Sequence, residues 1–293
     1  MDATKLSWNK NEPQLKLILA LFRLESFSRW NIQYAQKGFD RANYFLSRVQ
    51  QFFLLNEKKV LDLGCGYGHL SLEASKTVRE VVALDLADQM LKDLKARVRH
   101  LKVSNLSIIK ADATHLPFKP EVFDATLSYD LYEHIRDQHA LLQENFRVVR
   151  TKGCVAFSTG NKLFPIDRHT GLWFIDYLPE GIANLYVRLC KKGGVYNVYQ
   201  PTYWSLRSEL GKLCSHYLVD GESVLEMMRE VYPDIWRQLN RFASLLDFAA
   251  KMGIFKFFTP KFFMIALKTN ILQPHHKVYK KRTLLMVARG TRL

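Results

Sequence analysis

The stretch VLDLGCGYGHLS, residues 60–71, carries an apolar strand straight into Gly64, Gly66 and Gly68 and then into a helical pattern. Glycines at i, i+2 and i+4 let a backbone turn tightly and approach a ligand with no Cβ between them. A dinucleotide fingerprint, GxGxxG, would place its third glycine where His69 stands, and the phosphate loop GxxxxGK[ST] is absent. The spacing argues against both NAD and ATP as the ligand of this turn.

The rhythm around the turn sets the fold class. Strand patterns recur at KVLDL, EVVALDL, LSIIKAD, VFDATLSYD and GCVAFST, with helical patterns at about 67–76, 87–101 and 136–147 between them. Strands separated by helices of this length predict an α/β, doubly wound and mostly parallel sheet with helices on both faces. Two further strands are expected, CSHYLVD and FFMIALKTN, which bring the sheet to seven. Helices are also expected at 14–28, 38–55, 203–213 and 222–252, with RWNIQYAQKG (29–38) as a hinge or lid. After Thr159 the alternation gives way to a long aromatic, Pro- and Gly-bearing insertion. The expected organisation is an N-terminal helical lid (1–55), a main domain (56–270) with an acceptor-side insertion at about 160–202, and residues 271–293 as a basic tail or extra strand.

Two strand ends carry acids beside the glycine turn. Asp85 closes EVVALD, where a carboxylate can accept both hydroxyls of a ribose, and Asp112 follows LSIIKA, where it can accept from an adenine amine. Read alone, Asp85 is equally a helix cap or a surface acid. Open α/β sheets bind ligands beyond the carboxyl ends of their strands, so three such ends in succession outweigh any one of them.

Together, VLDLGCGYG, ALDLADQML, ADATHLPF and FDATLSYDLYEHI resemble the successive motifs of class I S-adenosylmethionine-dependent methyltransferases. The nearest group is the small-molecule one that includes quinone-biosynthesis enzymes, and the resemblance spans about residues 55–160. It implies a seven-stranded sheet of that family's type and S-adenosylmethionine as the cofactor. It further implies that Asp62 and the turn Gly64-Cys65-Gly66-Tyr67-Gly68 border the methionyl end, that Asp85 binds ribose with Leu86 and Met90 nearby, that Asp112 and Ala113 hold adenine, and that Tyr129 lines the cleft. The chain departs from the family at VVRTKGCVAF, which lacks the usual glycine-proline turn before the fifth strand. The insertion has no generic counterpart, so the acceptor is not inherited from the family.

Methyl transfer from a sulfonium depends on in-line alignment and exclusion of water more than on strong acid or base, so no catalytic triad is expected. An oxygen or carbon nucleophile gains from a nearby base. Glu133 and His134 in YDLYEHI and His169 in FPIDRHTGLWF are the candidates, with Asp167 a further one. His134 is equally a helix-capping or packing residue, His169 equally a loop fastener, and His69 a structural or pocket contact. His275-His276 lacks a third ligand at metal-site spacing, and no metal is expected.

Charge bears on the partners. The 293 residues carry a formal net charge of +15, and the 46 residues after Asp247 contain ten Lys or Arg and no carboxylate. Such an excess favours nucleic acid, acidic lipid or an anionic substrate without choosing between them. A small-molecule or lipid-like acceptor leads, with peripheral contact to an anionic membrane. RNA methylation is the alternative, though no recognisable RNA-binding module accompanies the charge, and a non-catalytic scaffold is a third reading. MGIFKFFTPKFFMIAL (252–267) reads either as a buried last strand or as a membrane-leaning surface. Cys65, Cys154, Cys190 and Cys214 are too widely spaced for a zinc knuckle or a CxxC pair. No secretion-signal layout and no run of about 18 apolar residues is present, so a cytoplasmic setting, with membrane contact at most peripheral, is the expectation.

Overall fold

Strand β1, Lys59–Leu63, is buried along nearly its whole length in the interior of a seven-stranded sheet in the computed structural model, which describes residues 29–220 and 261–268. The other strands are β2 (Glu80–Asp85), β3 (Leu106–Lys110), β4 (Phe123–Tyr129), β5 (Val149–Gly160), β6 (His216–Asp220) and β7 (Lys261–Leu267). Their order is β3-β2-β1-β4-β5-β7-β6. The pairs among β1 to β5 are parallel, while β7 runs antiparallel to both β5 and β6.

Alternation along each strand splits the core in two. On one face Val60, Ala125, Ala156, Phe263 and Ile265 pack beneath helices α1 (Arg29–Gln50), α2 (His69–Ala74) and α3 (Asp88–His100). On the other, Leu61, Leu63, Phe157, Phe262 and Met264 pack beneath α4 (Gln138–Val148) and α6 (Tyr203–Leu213). Burial on both faces is why the central strands read as near-continuous apolar runs. Lys261–Leu267 is accordingly an interior strand, which removes that part of MGIFKFFTPKFFMIAL from any membrane surface.

The segment RWNIQYAQKG corrects the sequence reading. It is not a hinge but the first part of the 22-residue helix α1. Gly38 does not break the helix there, because it gives room to a neighbour: a Cβ at Gly38 would meet the His69 ring at 2.8 Å. Phe39 then sets its edge against the same ring, with centroids 4.8 Å apart. Phe39, Ala42, Phe45, Leu46 and Val49 form the buried stripe expected of this helix. Strand β5 also begins at Val149 rather than at Gly153, α2 is shorter than the expected 67–76, and the expected helices at 14–28 and 222–252 lie outside the described residues, as does 271–293.

The insertion builds a small core of its own. Leu172, Ile175 and Tyr196 close on Ala183 and Val187 of helix α5 (Glu180–Leu189).

Candidate active site

Strand order reverses between β1 and β4, and their carboxyl ends open a crevice where sheets of this kind take ligands. The glycine turn lies at the mouth of β1. Gly64, Gly66 and Gly68 have φ of 68°, 51° and 80°, the left-handed region that glycine enters without penalty. Packing explains two of them: a Cβ at Gly64 would come 2.8 Å from Leu131, and one at Gly68 would come 2.2 Å from Leu94. Gly66 is different. Among the described residues its Cβ would meet only Met90 Sδ, at an unstrained 3.8 Å, so packing does not demand a glycine here.

Asp85 joins the second strand to that turn. Its Oδ2 accepts from Gly66 N at 2.8 Å and its Oδ1 from Ala87 N at 2.9 Å. A carboxylate has about four lone-pair sites, so acceptor capacity remains for a diol. Leu86, next along, is exposed, and Met90 borders Gly66. Asp112 is also exposed; its Oδ1 accepts from Thr114 N and Oγ1, both at 2.8 Å, and these bonds hold its carboxyl below the ordinary range. Ala113 is buried behind it.

Asp62 and Cys65 lie beneath the turn. Asp62 is 1% exposed and accepts from Ser71 Oγ. Burial pushes its pKa up to about 7 against the Ser71 bond, with the Asp85 charge adding to the rise. Burial likewise raises the Cys65 thiol, leaving it an inert packing group. From α3, the buried Arg97 donates to Tyr67 O at 2.8 Å and braces the turn.

The end of β4 gathers a second set of groups. Tyr129 is half-buried, with Lys261 Nζ 3.6 Å from its ring centroid. Asp130 follows in a left-handed conformation (φ 59°) and is paired with Lys261 Nζ at 2.5 Å and Arg168 Nη2 at 3.0 Å. Burial would raise the Asp130 pKa, but the two cations outweigh it and hold it low. A 3-10 turn, Tyr132–His134, then aims Glu133 inward. Among the described residues neither Glu133 oxygen has a hydrogen-bond partner, and the side chain is fully buried. Burial, with Asp130 beside it, raises the Glu133 pKa.

His169 reaches the same place from the insertion. Its loop is closed by the bridge Ile166–Trp173 and by Phe174 N donating to Pro165 O at 2.6 Å. Asp167 fastens the loop from within, accepting five hydrogen bonds from His169 N, Thr170 N, Thr170 Oγ1, Tyr196 Oη and Gln200 Nε2. That inward, 1% exposed placement makes Asp167 a loop fastener rather than an acceptor base. The His134 and His169 rings meet edge to face at 4.8 Å, and His169 Nε2 lies 3.8 Å from Glu133 Oε1. Burial lowers the pKa of both imidazoles below 6.5, so both are neutral at pH 7.

Residues 61–157 match the family described as "Methyltransferase domain". A ubiquinone biosynthesis O-methyltransferase of Aliivibrio fischeri is 32% identical over 124 residues, which is 42% of this chain and 51% of the relative. One from Proteus mirabilis is 27% identical over 159 residues, 50% of this chain and 61% of the relative. The fold is that of a class I S-adenosylmethionine-dependent methyltransferase. Among solved structures, phosphoethanolamine N-methyltransferase 2 of Haemonchus contortus superposes with a TM-score of 0.54 at 20% identity, over 78% of this chain and 53% of that one. A Mesorhizobium loti S-adenosylmethionine-dependent methyltransferase does so at 0.52 and 15%, over 76% and 96%. The chain spans about half the length of the curated relatives it matches first.

Within this fold, the glycine turn and the segment carrying Glu133 and His134 adjoin through Leu131, the neighbour that keeps Gly64 a glycine. Glu133, His134 and His169, 35 residues apart in sequence, come together with one ligating atom each within 4.8 Å of the others. One carboxylate and two imidazoles can also ligate a divalent cation, a set that sequence spacing does not reveal because His169 lies in the insertion. Asp130, Arg168 and Lys261 were not singled out as site residues. Asp130 had a visible signal, an acid directly after the fourth strand, whereas Lys261 joins only through the antiparallel pairing of β7 with β5.

Proposed function

We propose that this protein transfers a methyl group from S-adenosylmethionine to an oxygen or carbon of a small-molecule acceptor. The observation that carries the reading is the Asp85 carboxylate bound to the Gly66 N–H, which makes the ribose acid and the glycine turn one cradle. The open side of Gly66 fits a ligand where a Cβ would otherwise stand. Gly64 to Gly68, Asp85 and Asp112 would hold the cofactor, which supplies an electrophilic methyl on a sulfonium.

His134 and His169, neutral at pH 7, are placed to accept the acceptor's proton at a ring nitrogen. Glu133 stands behind His169, and its ionisation becomes favourable as that ring gains charge. Asp130 fixes Arg168, the residue next to His169, and so sets the position of the loop. The similarity to O-methyltransferases of ubiquinone biosynthesis supports a hydroxyl-bearing ring as the acceptor class. Calorimetry with S-adenosylmethionine tests the reading: binding supports it, and no binding by the folded full chain refutes it.

A further inference from the structure

The insertion turns apolar side chains to solvent on the outer side of its own small core. Helix α5 buries Ala183 and Val187, yet Ile182, Leu185 and Leu189 on the opposite face are between 54% and 72% exposed. Their i, i+3, i+7 spacing makes one stripe. Trp173, Phe174 and Tyr177 of the preceding loop are each more than 40% exposed, with neighbouring rings 5.9 Å apart. Phe174 holds a left-handed backbone (φ 57°), a conformation that costs energy, while more than half of its side chain stays exposed. Six large apolar side chains exposed on one small insertion mark a docking surface.

Charge selects the occupant. Asp167 and Asp176 are buried, which leaves Glu180 as the exposed carboxylate of residues 161–202. Arg188, Lys191 and Lys192 stand exposed at the carboxyl end of α5, beside Leu189. An aliphatic stripe with aromatic side chains and flanking cations matches the interface of an anionic bilayer, where acyl chains take the apolar groups and headgroups the charges. Nucleic acid offers nothing to bury three aliphatic side chains against.

We infer that α5 and the Trp173–Tyr177 loop dock this protein on an anionic membrane surface. The docking loop is the same loop that carries His169, so the acceptor cluster lies beside the bilayer. On the methyltransferase reading, and resting on it, the acceptor is then an amphiphile taken from the membrane rather than from water.

The test is sedimentation of the full chain with vesicles of phosphatidylcholine, with and without phosphatidylglycerol. Wild type is expected to sediment with the anionic vesicles. The double substitution Leu185→Glu and Leu189→Glu should cut partitioning about tenfold or more. Lys191→Ser and Lys192→Ser should each cut it about fivefold, on the anionic vesicles alone. Leu189→Ser provides a milder second variant, and urea unfolding confirms that each variant is folded. Vesicle binding that survives both the Leu and the Lys substitutions overturns the inference. So does a face that binds no vesicles but sustains a Leu185- and Leu189-dependent dimer or a complex with RNA. Vesicle binding is read without methyl transfer, so its loss would leave the enzyme reading standing and calorimetric failure would leave the docking surface standing.

Discussion

Removing the Asp85 carboxylate takes away the acceptor for Gly66 N–H, 2.8 Å away, together with the group that would meet a ribose. Asp85→Ala is therefore expected to weaken S-adenosylmethionine binding about tenfold or more, the worth of one or two charge-assisted hydrogen bonds. An unchanged dissociation constant in calorimetry would remove Asp85 from the cradle. His134→Ala and His169→Ala should spare that constant and lower kcat by about 10²- to 10⁴-fold if the imidazoles take the proton. Their lowered pKa values put the acid limb of kcat/KM below the ordinary histidine value of 6.5, with activity lost as pH falls through it. A limb above 6.5 would assign the proton to another group. Glycines and acids at strand ends were legible because their role follows from local sequence: a strand ends, the chain turns, and a carboxylate is left at the crevice. The Asp130–Arg168–Lys261 pairing was not, because it joins three distant segments that only the folded sheet and insertion bring together.

Helix α1 belongs with the sheet rather than hanging over it. Phe45 is 2% exposed and sets its edge against Tyr129 of β4 and Phe263 of β7, each with centroids 5.5 Å away. Phe45→Ala is expected to cost about 3–5 kcal/mol, as truncation of a buried aromatic does, and to reduce cofactor affinity by loosening the wall behind Tyr129. Urea unfolding measures the first effect; a loss under 1 kcal/mol would show that α1 is only loosely held. Most of the elements from β1 to β7 were readable because apolar period and breaker positions agree there. The stretch at 29–38 misled for a physical reason: its one glycine signals a break in sequence, while in the fold it makes space for the His69 ring.

Across the whole molecule, buried acids set how stability follows pH. Asp62 is raised from 3.8 to about 7, chiefly by burial, so the native state keeps this proton over a range in which the unfolded chain has lost it. Its contribution to stability is present in full below about 4 and lost as pH rises through about 7. Glu133 acts in the same direction. The buried histidines, whose pKa values are lowered, act in the opposite sense, so the test is a difference. The wild-type urea midpoint minus that of Asp62→Asn, which keeps an acceptor for Ser71 without a charge, should fall between pH 5 and pH 8; a constant difference would contradict the assignment. The sheet order, the glycine turn with Asp85 and the histidine cluster all lie at the carboxyl ends of the parallel strands or the loops that follow them, and on the proposed function the insertion that carries His169 would select the acceptor. Methyl transfer from labelled S-adenosylmethionine into fractionated cell extract tests that conclusion most directly. The account predicts label in the small-molecule and lipid fractions, reduced about tenfold or more by Asp85→Ala at sub-saturating cofactor. Label confined to RNA or protein, or none at all from the folded enzyme, would contradict it.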